Sequence, residues 1–203
     1  MNDCYLTIAN EAHAEIKIKG SRFIGETFHV RTAEEALQKL NIVRQREYAA
    51  THHCYAWQVG VNEEKSFKYS DAGEPSGTAG KPIYDVIAGH DITMILLVVT
   101  RYFGGTKLGT GGLVRAYSDT AVAVMDKSGI KENYLTADYK IILEFPHYDR
   151  WLKIINNLGA RVVDAAFAEK VTMQVEIRLS RVERLKQAFM ELTGGKGVFE
   201  SLK

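Results

Sequence analysis

From Asp138 onward the apolar positions of the chain keep two distinct rhythms. The segment "DYKIILEF" has strand composition. Pro146 closes it and suits the approach to a helix, in which Trp151, Ile154, Ile155 and Leu158 recur at helical spacing before Gly159 supplies a stop. The segments "ARVVDAAFA" and "KVTMQVEIRL" read as two further strands. In the second, Val171, Met173, Val175, Ile177 and Leu179 fall on one face. Ser180 and Glu183 match the capping-box spacing that starts a helix, and Val182, Leu185, Phe189 and Leu192 then return at helical period. Gly194 and Gly195 end that helix and "GVFESL" supplies a last strand. The order β-α-β-β-α-β predicts a ferredoxin-like domain over residues 138–203.

The earlier part of the chain also mixes the two rhythms. "EIKIKG" and "RFIGETFHV" read as strands. Thr32 and Glu35 form another capping box, which opens a helix through "AEEALQKLNIVRQREY". "HCYAWQVG" and "SFKYS" are strands again. After the loop "DAGEPSGTAGKP", Pro82 suits the first turn of a short helix. "TMILLVVTRYF" carries apolar residues without alternation, the mark of a central strand covered on both faces. Beyond it Leu113, Ala116, Tyr117, Thr120, Ala121 and Val124 line one face of a helix. The chain is thus expected to be α+β in two domains, 1–134 and 138–203.

Composition narrows the classes without choosing among them. The 203 residues include 46% hydrophobic and 25% charged side chains with a formal net charge of +1, which suits a globular chain and excludes a bulk polycation. Any anion site must therefore be local. Two cysteines, Cys4 and Cys54, make neither a disulfide framework nor paired metal spacing. The longest apolar run, Met94 to Val99, is too short to span a bilayer, and the first residues lack the pattern of a secretory signal. A cytoplasmic location, no membrane partner and no cofactor are expected.

Chemistry concentrates in two glycine-rich stretches. "RYFGGTKLGTGGLVRAY" places Gly104, Gly105, Gly109, Gly111 and Gly112 between a strand and a helix, with Arg101, Lys107 and Arg115 and no acid inside the stretch. Glycine there either serves a tight connection or lets the backbone approach a partner, and helix N-termini attract anions. With Lys81 these residues make a candidate anion or nucleic-acid site. The P-loop, dinucleotide and nucleophile-elbow patterns all fail. In "YSDAGEPSGTAGKP", Asp71 and Glu74 are close enough to act as a carboxylate pair, although the turn-forming context favours an Asx turn at Asp71 and a solvated Glu74. Ser76 and Thr78 have no base beside them. His52, His53 and Cys54 offer metal-ligating chemistry, but adjacent strand residues face opposite sides, so no metal site is assigned.

"HHCYAW", "YSDAGEPSGTAGKP" and "VVTRYFGGTKLGTGGLVRAY", in that order, resemble the IMPACT family, including its YigZ-like bacterial members. The resemblance implies an N-terminal domain with the ribosomal protein S5 domain 2-like fold, seen also in domain IV of elongation factor G. It further implies a ferredoxin-like C-terminal domain similar to domain V of that factor. Eukaryotic relatives regulate translation in amino-acid starvation by competing for a ribosome-associated activator of an initiation-factor kinase. The expected function is accordingly translation-related binding of RNA, the ribosome or an associated factor, without catalysis, with Lys140, Lys170 and Arg178 as secondary RNA contacts. The alternatives are an enzyme acting on a small phosphorylated or nucleotide ligand through Asp71 and Glu74, and a protein-interaction module.

Overall fold

The structure, a computed structural model, describes residues 3–202. The chain divides into two compact units, one of Tyr5–Glu132 and one from Asn133 onward that also takes in Asp3 and Cys4. The sequence pattern alone leaves these two N-terminal residues with the first domain.

In the first unit, whose first strand enters from Cys4 and whose last strand leaves at Asn133, the strands β1 (Cys4–Ile8), β2 (Ala12–Ile18) and β3 (Ser21–His29) precede the helix α1 (Ala33–Arg46). Then come β4 (His52–Val59), β5 (Ser66–Ser70), α2 (Gly80–Gly89), β6 (Ile95–Tyr102), α3 (Gly109–Ser128) and β7 (Ile130–Tyr134). Five strands form one sheet in the order β2-β3-β6-β4-β5, antiparallel throughout. The central strand β6 is apolar at every position from Ile95 to Val99 because both faces are covered. Ile95, Leu97 and Val99 join Cys54, Ala56 and the buried faces of α2 and α3, whereas Leu96 and Val98 join Tyr55, Trp57 and the α1 residues Leu40 and Val43. The predicted stripe of α3, from Leu113 to Val124, is buried in full. β1 and β7, which carry no clean alternation, pair in a separate two-stranded sheet that the sequence pattern does not foretell.

The second unit runs β8 (Thr136–Leu143), α4 (Tyr148–Asn157), β9 (Arg161–Phe167), β10 (Val171–Arg178), α5 (Val182–Thr193) and β11 (Val198–Leu202). The sheet order β11-β8-β10-β9 is the ferredoxin-like arrangement. Val171, Met173, Val175 and Ile177 pack with Trp151, Ile155, Leu185 and Phe189.

Of the two expected capping boxes, one forms in altered shape, its return bond falling on Arg31 N, one residue before the N-cap Thr32. Thr32 Oγ1 accepts from Glu35 N at 3.2 Å, and the Glu35 carboxylate accepts from Arg31 N at 2.8 Å. At the other, Ser180 does not cap α5. Its N–H and its hydroxyl both donate to Asp3 Oδ2, at 2.9 and 2.6 Å. Ser180 lies inside the short 3-10 turn Leu179–Arg181, so the residue at the N-cap of α5 is Arg181, whose side chain makes no capping bond.

Candidate functional site

Strand alternation puts His52, Cys54 and Arg101 on the sheet face covered by α2 and α3, with His52 directly opposite Arg101. The loop between β5 and α2 folds over these residues, and Asp71 closes it. Asp71 Oδ1 accepts from the N–H groups of Ala79 and Gly80 at 2.9 and 2.8 Å, and Oδ2 accepts from Gly77 N at 2.9 Å. A carboxylate at this end of α2 satisfies helix donors that would otherwise lack partners. Asp71 is therefore spent on the backbone and does not pair with Glu74 as an acid–base couple, which corrects its candidacy as a catalytic group.

The same loop carries Glu74 inward, where its side chain is only 3% exposed, which corrects the expectation of a solvated carboxylate there. Its Oε1 accepts from Arg101 Nη1 at 2.5 Å and from the Tyr117 hydroxyl at 2.8 Å, with His52 Nε2 at 3.9 Å. Arg101 lies between the rings of Phe23 and Phe103, its guanidinium carbon 5.3 and 5.4 Å from their centroids, a cation–π arrangement. Cys54 Sγ stands 2.9 Å from the Asp71 carbonyl and 3.3 Å from the Tyr117 oxygen. Burial, reinforced by the Glu74 and Asp71 charges, pushes the Cys54 thiol up to about 12. Burial, then the neighbouring Cys54 and Glu74, also raises the Tyr117 phenol well above its ordinary value. Both groups stay protonated at neutral pH and act as hydrogen-bond partners, not as nucleophiles. His52 Nδ1 and His53 Nε2 are engaged with the carbonyls of Ala72 and Glu47, at 2.9 and 3.2 Å.

Beside Glu74 and Arg101 opens a cleft of about 390 Å³, walled by Pro75, Phe103, Leu108 and Leu113 and bordered by Lys107, Gly109 and Thr110. The glycines around it do different jobs. A side chain on Gly104 would fall on the backbone of Gly20, so this position is a close chain-to-chain contact. Gly109 turns the chain into α3 at φ +73°. Gly111 has neither excuse: its φ is ordinary, and among the described residues no neighbouring atom lies within 4 Å of where a Cβ would stand. No side chain among the described residues caps α3, and its first turn holds no acid. Among the described residues, no protein group accepts from the N–H groups of Gly109, Thr110 or Gly111, and these three residues are exposed.

The structure thus gathers Arg101, Lys107 and Gly109 along one cleft, with Gly111 in the adjoining helical turn. Arg101, unopposed within its own stretch of sequence, is neutralised by Glu74 from 27 positions earlier. Lys81 does not line the cleft; it sits exposed on α2 and pairs with Asp85 at 2.6 Å. Arg115 is exposed one turn further along α3 and also lies off the cleft lining. Sequence reasoning places Tyr117 in the core alone and gives Phe103 and Thr110 no role, although both fall inside the glycine stretch.

The Impact N-terminal domain model matches residues 19–125, and a domain of unknown function, DUF1949, matches residues 141–196. The chain is 34% identical over 202 residues to the IMPACT family member YvyE of Bacillus subtilis, covering 95% of this chain and 88% of that one. It is 29% identical over 180 residues to the IMPACT family member YigZ of Escherichia coli, covering 88% of each. A crystal structure described as a hypothetical protein superposes over 100% of this chain and 99% of its own, with a TM-score of 0.70 and 27% identity. With one family model spanning more than half of its length and relatives matching nearly all of it, the chain belongs to the IMPACT family.

Proposed function

We propose that this chain is a cytoplasmic, translation-associated RNA binder that holds a backbone phosphate at the first turn of α3, without catalysing a reaction. The observation that carries the reading is the set of N–H groups at the exposed residues Gly109, Thr110 and Gly111, which have no protein acceptor among the described residues. Such groups, with the positive end of a 20-residue helix, favour an anion. Lys107 adds a positive charge at the rim. Family membership supports translation as the setting, with the ribosome or a ribosome-bound factor as the partner. Asp71 is engaged by three backbone N–H groups and Cys54 stays a thiol, so the reading includes no catalytic step.

Filter binding of ribosomal RNA and transfer RNA across a salt series tests it. Counterion release makes the logarithm of affinity fall linearly with the logarithm of salt, and Lys107→Ala should reduce that slope by about 1. Absence of salt-dependent binding would overturn the reading. A second reading, docking of a protein partner, is favoured by the edge strand β5. There Phe67 is 52% exposed and stacks on Tyr84 at 4.3 Å, with Tyr69 beside them. Co-purification with ribosomes that survives RNase and is lost in Phe67→Ser would favour it.

A further inference from the structure

The cleft offers more than a seat for a phosphate. Its floor holds a buried carboxylate that is only half used. Glu74 Oε1 takes both the Arg101 guanidinium and the Tyr117 hydroxyl, while Oε2 accepts from neither. Arg101 Nε is buried and has no hydrogen-bond partner among the described residues, and as an N–H group it calls for an acceptor. A buried polar atom left without a partner is uncommon and costly, and both residues line the cleft. Between this floor and the open N–H groups of α3 the walls are apolar, and Phe103 stands 47% exposed at the mouth with one face toward Arg101. The occupant that fits has an anionic end, a flat apolar body and, at the far end, an N–H donor for Glu74 Oε2 next to an acceptor for Arg101 Nε.

We infer that the cleft takes one unstacked nucleotide carrying an exocyclic amino group: its phosphate on the first turn of α3 and Lys107, its base against Phe103, its amino group donating to Glu74 Oε2. This deepens the RNA reading and rests on it. The volume of about 390 Å³ lies in the range of small-ligand sites. Single-stranded RNA is recognised in this manner, by a splayed base stacked on an aromatic ring and hydrogen-bonded along its edge. Adenine, cytosine and guanine each present an amino group. Uracil presents none, and its one edge N–H is flanked by carbonyl oxygens that would face the carboxylate. The same chemistry describes a free nucleotide and a nucleotide within a chain, so the test separates them.

Fluorescence anisotropy of the full chain with labelled octamers of rA, rC and rU at one low salt concentration is the measurement, beside thermal shifts with AMP, CMP and UMP. We expect rA and rC to bind about tenfold more tightly than rU, the scale of a hydrogen bond to a charged group. Phe103→Ala should weaken rA and rC about tenfold through lost stacking, and, being half exposed, it leaves the core intact. Glu74→Gln should level the preference for amino-bearing bases, since a carboxamide also donates. Equal binding of all three octamers, unaffected by Phe103→Ala but still weakened by Lys107→Ala, overturns the nucleotide cleft and leaves phosphate binding standing. Thermal stabilisation by AMP and CMP but not UMP, without octamer binding, supports the cleft ligand and overturns the RNA reading. No response to any of these ligands overturns both.

Discussion

Replacing Arg101 by methionine would remove the only ion-pair partner within hydrogen-bonding distance of Glu74 among the described residues. Both side chains are nearly sealed, at 6% and 3% exposure, and they meet at 2.5 Å. Breaking one side of such a pair strands the other charge and costs about 3–5 kcal/mol. At about 2–4 °C per kcal/mol for a chain of this size, Arg101→Met should lower the melting temperature by roughly 6–20 °C. Glu74→Gln should cost a similar amount, because it strands the guanidinium. The double variant carries neither charge. Its new carboxamide can still accept from the Tyr117 hydroxyl, so the loss should shrink to about 1–3 kcal/mol, far below the roughly 6–10 kcal/mol sum of the singles. Lys81→Met is the control: it breaks an exposed pair, 51% and 55% exposed, worth about 0–1 kcal/mol. Differential scanning calorimetry of the four variants reads all of this. Singles that lose less than about 1 kcal/mol, or a double that equals their sum, would refute the claim that a buried, mutually dependent pair forms the cleft floor.

Three further outcomes follow from the same geometry. Gly104→Ala should destabilise by about 1–3 kcal/mol, because the new methyl meets the Gly20 backbone, while Gly111→Ala should stabilise by about 0.4–1 kcal/mol yet weaken RNA binding; urea midpoints and anisotropy check the pair. Cys54, held up to about 12, should resist Ellman's reagent at pH 8 in the native protein and react only on unfolding. The Ser180 hydroxyl holds the Asp3 carboxyl below its usual 3.8, so the ionised form is favoured by folding. Its contribution is present above that value and lost as pH falls through the lowered one, so the stability gap between wild type and Asp3→Asn should close on acidification, as chemical denaturation at stepped pH would show.

Much of the fold was legible because burial writes itself into local periods. The α3 stripe, the alternation of β10 and the unbroken apolar run of β6 each reflect a face that the chain itself must cover. The site was less legible because its partners are far apart in sequence. Nothing near Arg101 announces Glu74, and the turn context at Asp71 announces a local backbone bond but not one reaching as far as Gly77, Ala79 and Gly80. Ser180 shows the same limit. Its helix-capping spacing is sound, but a 3-10 turn over Leu179–Arg181 moves the N-cap to Arg181, and the serine bonds instead to Asp3, 177 positions away. The glycines were visible as a group. Their division into a steric contact at Gly104, a positive-φ turn at Gly109 and an unexplained gap at Gly111 needed the neighbouring atoms.

The Asp71 clasp has a consequence for how this region can change over time. One carboxylate gathers the amides of Gly77, Ala79 and Gly80, so the intervening stretch has a fixed length. Inserting or deleting a residue between positions 71 and 80 would unhook the start of α2 and pull Glu74 away from Arg101 in the same stroke. Variation in length should instead collect in the turn around Asn62–Glu64, where the chain is exposed and no cleft residue depends on it.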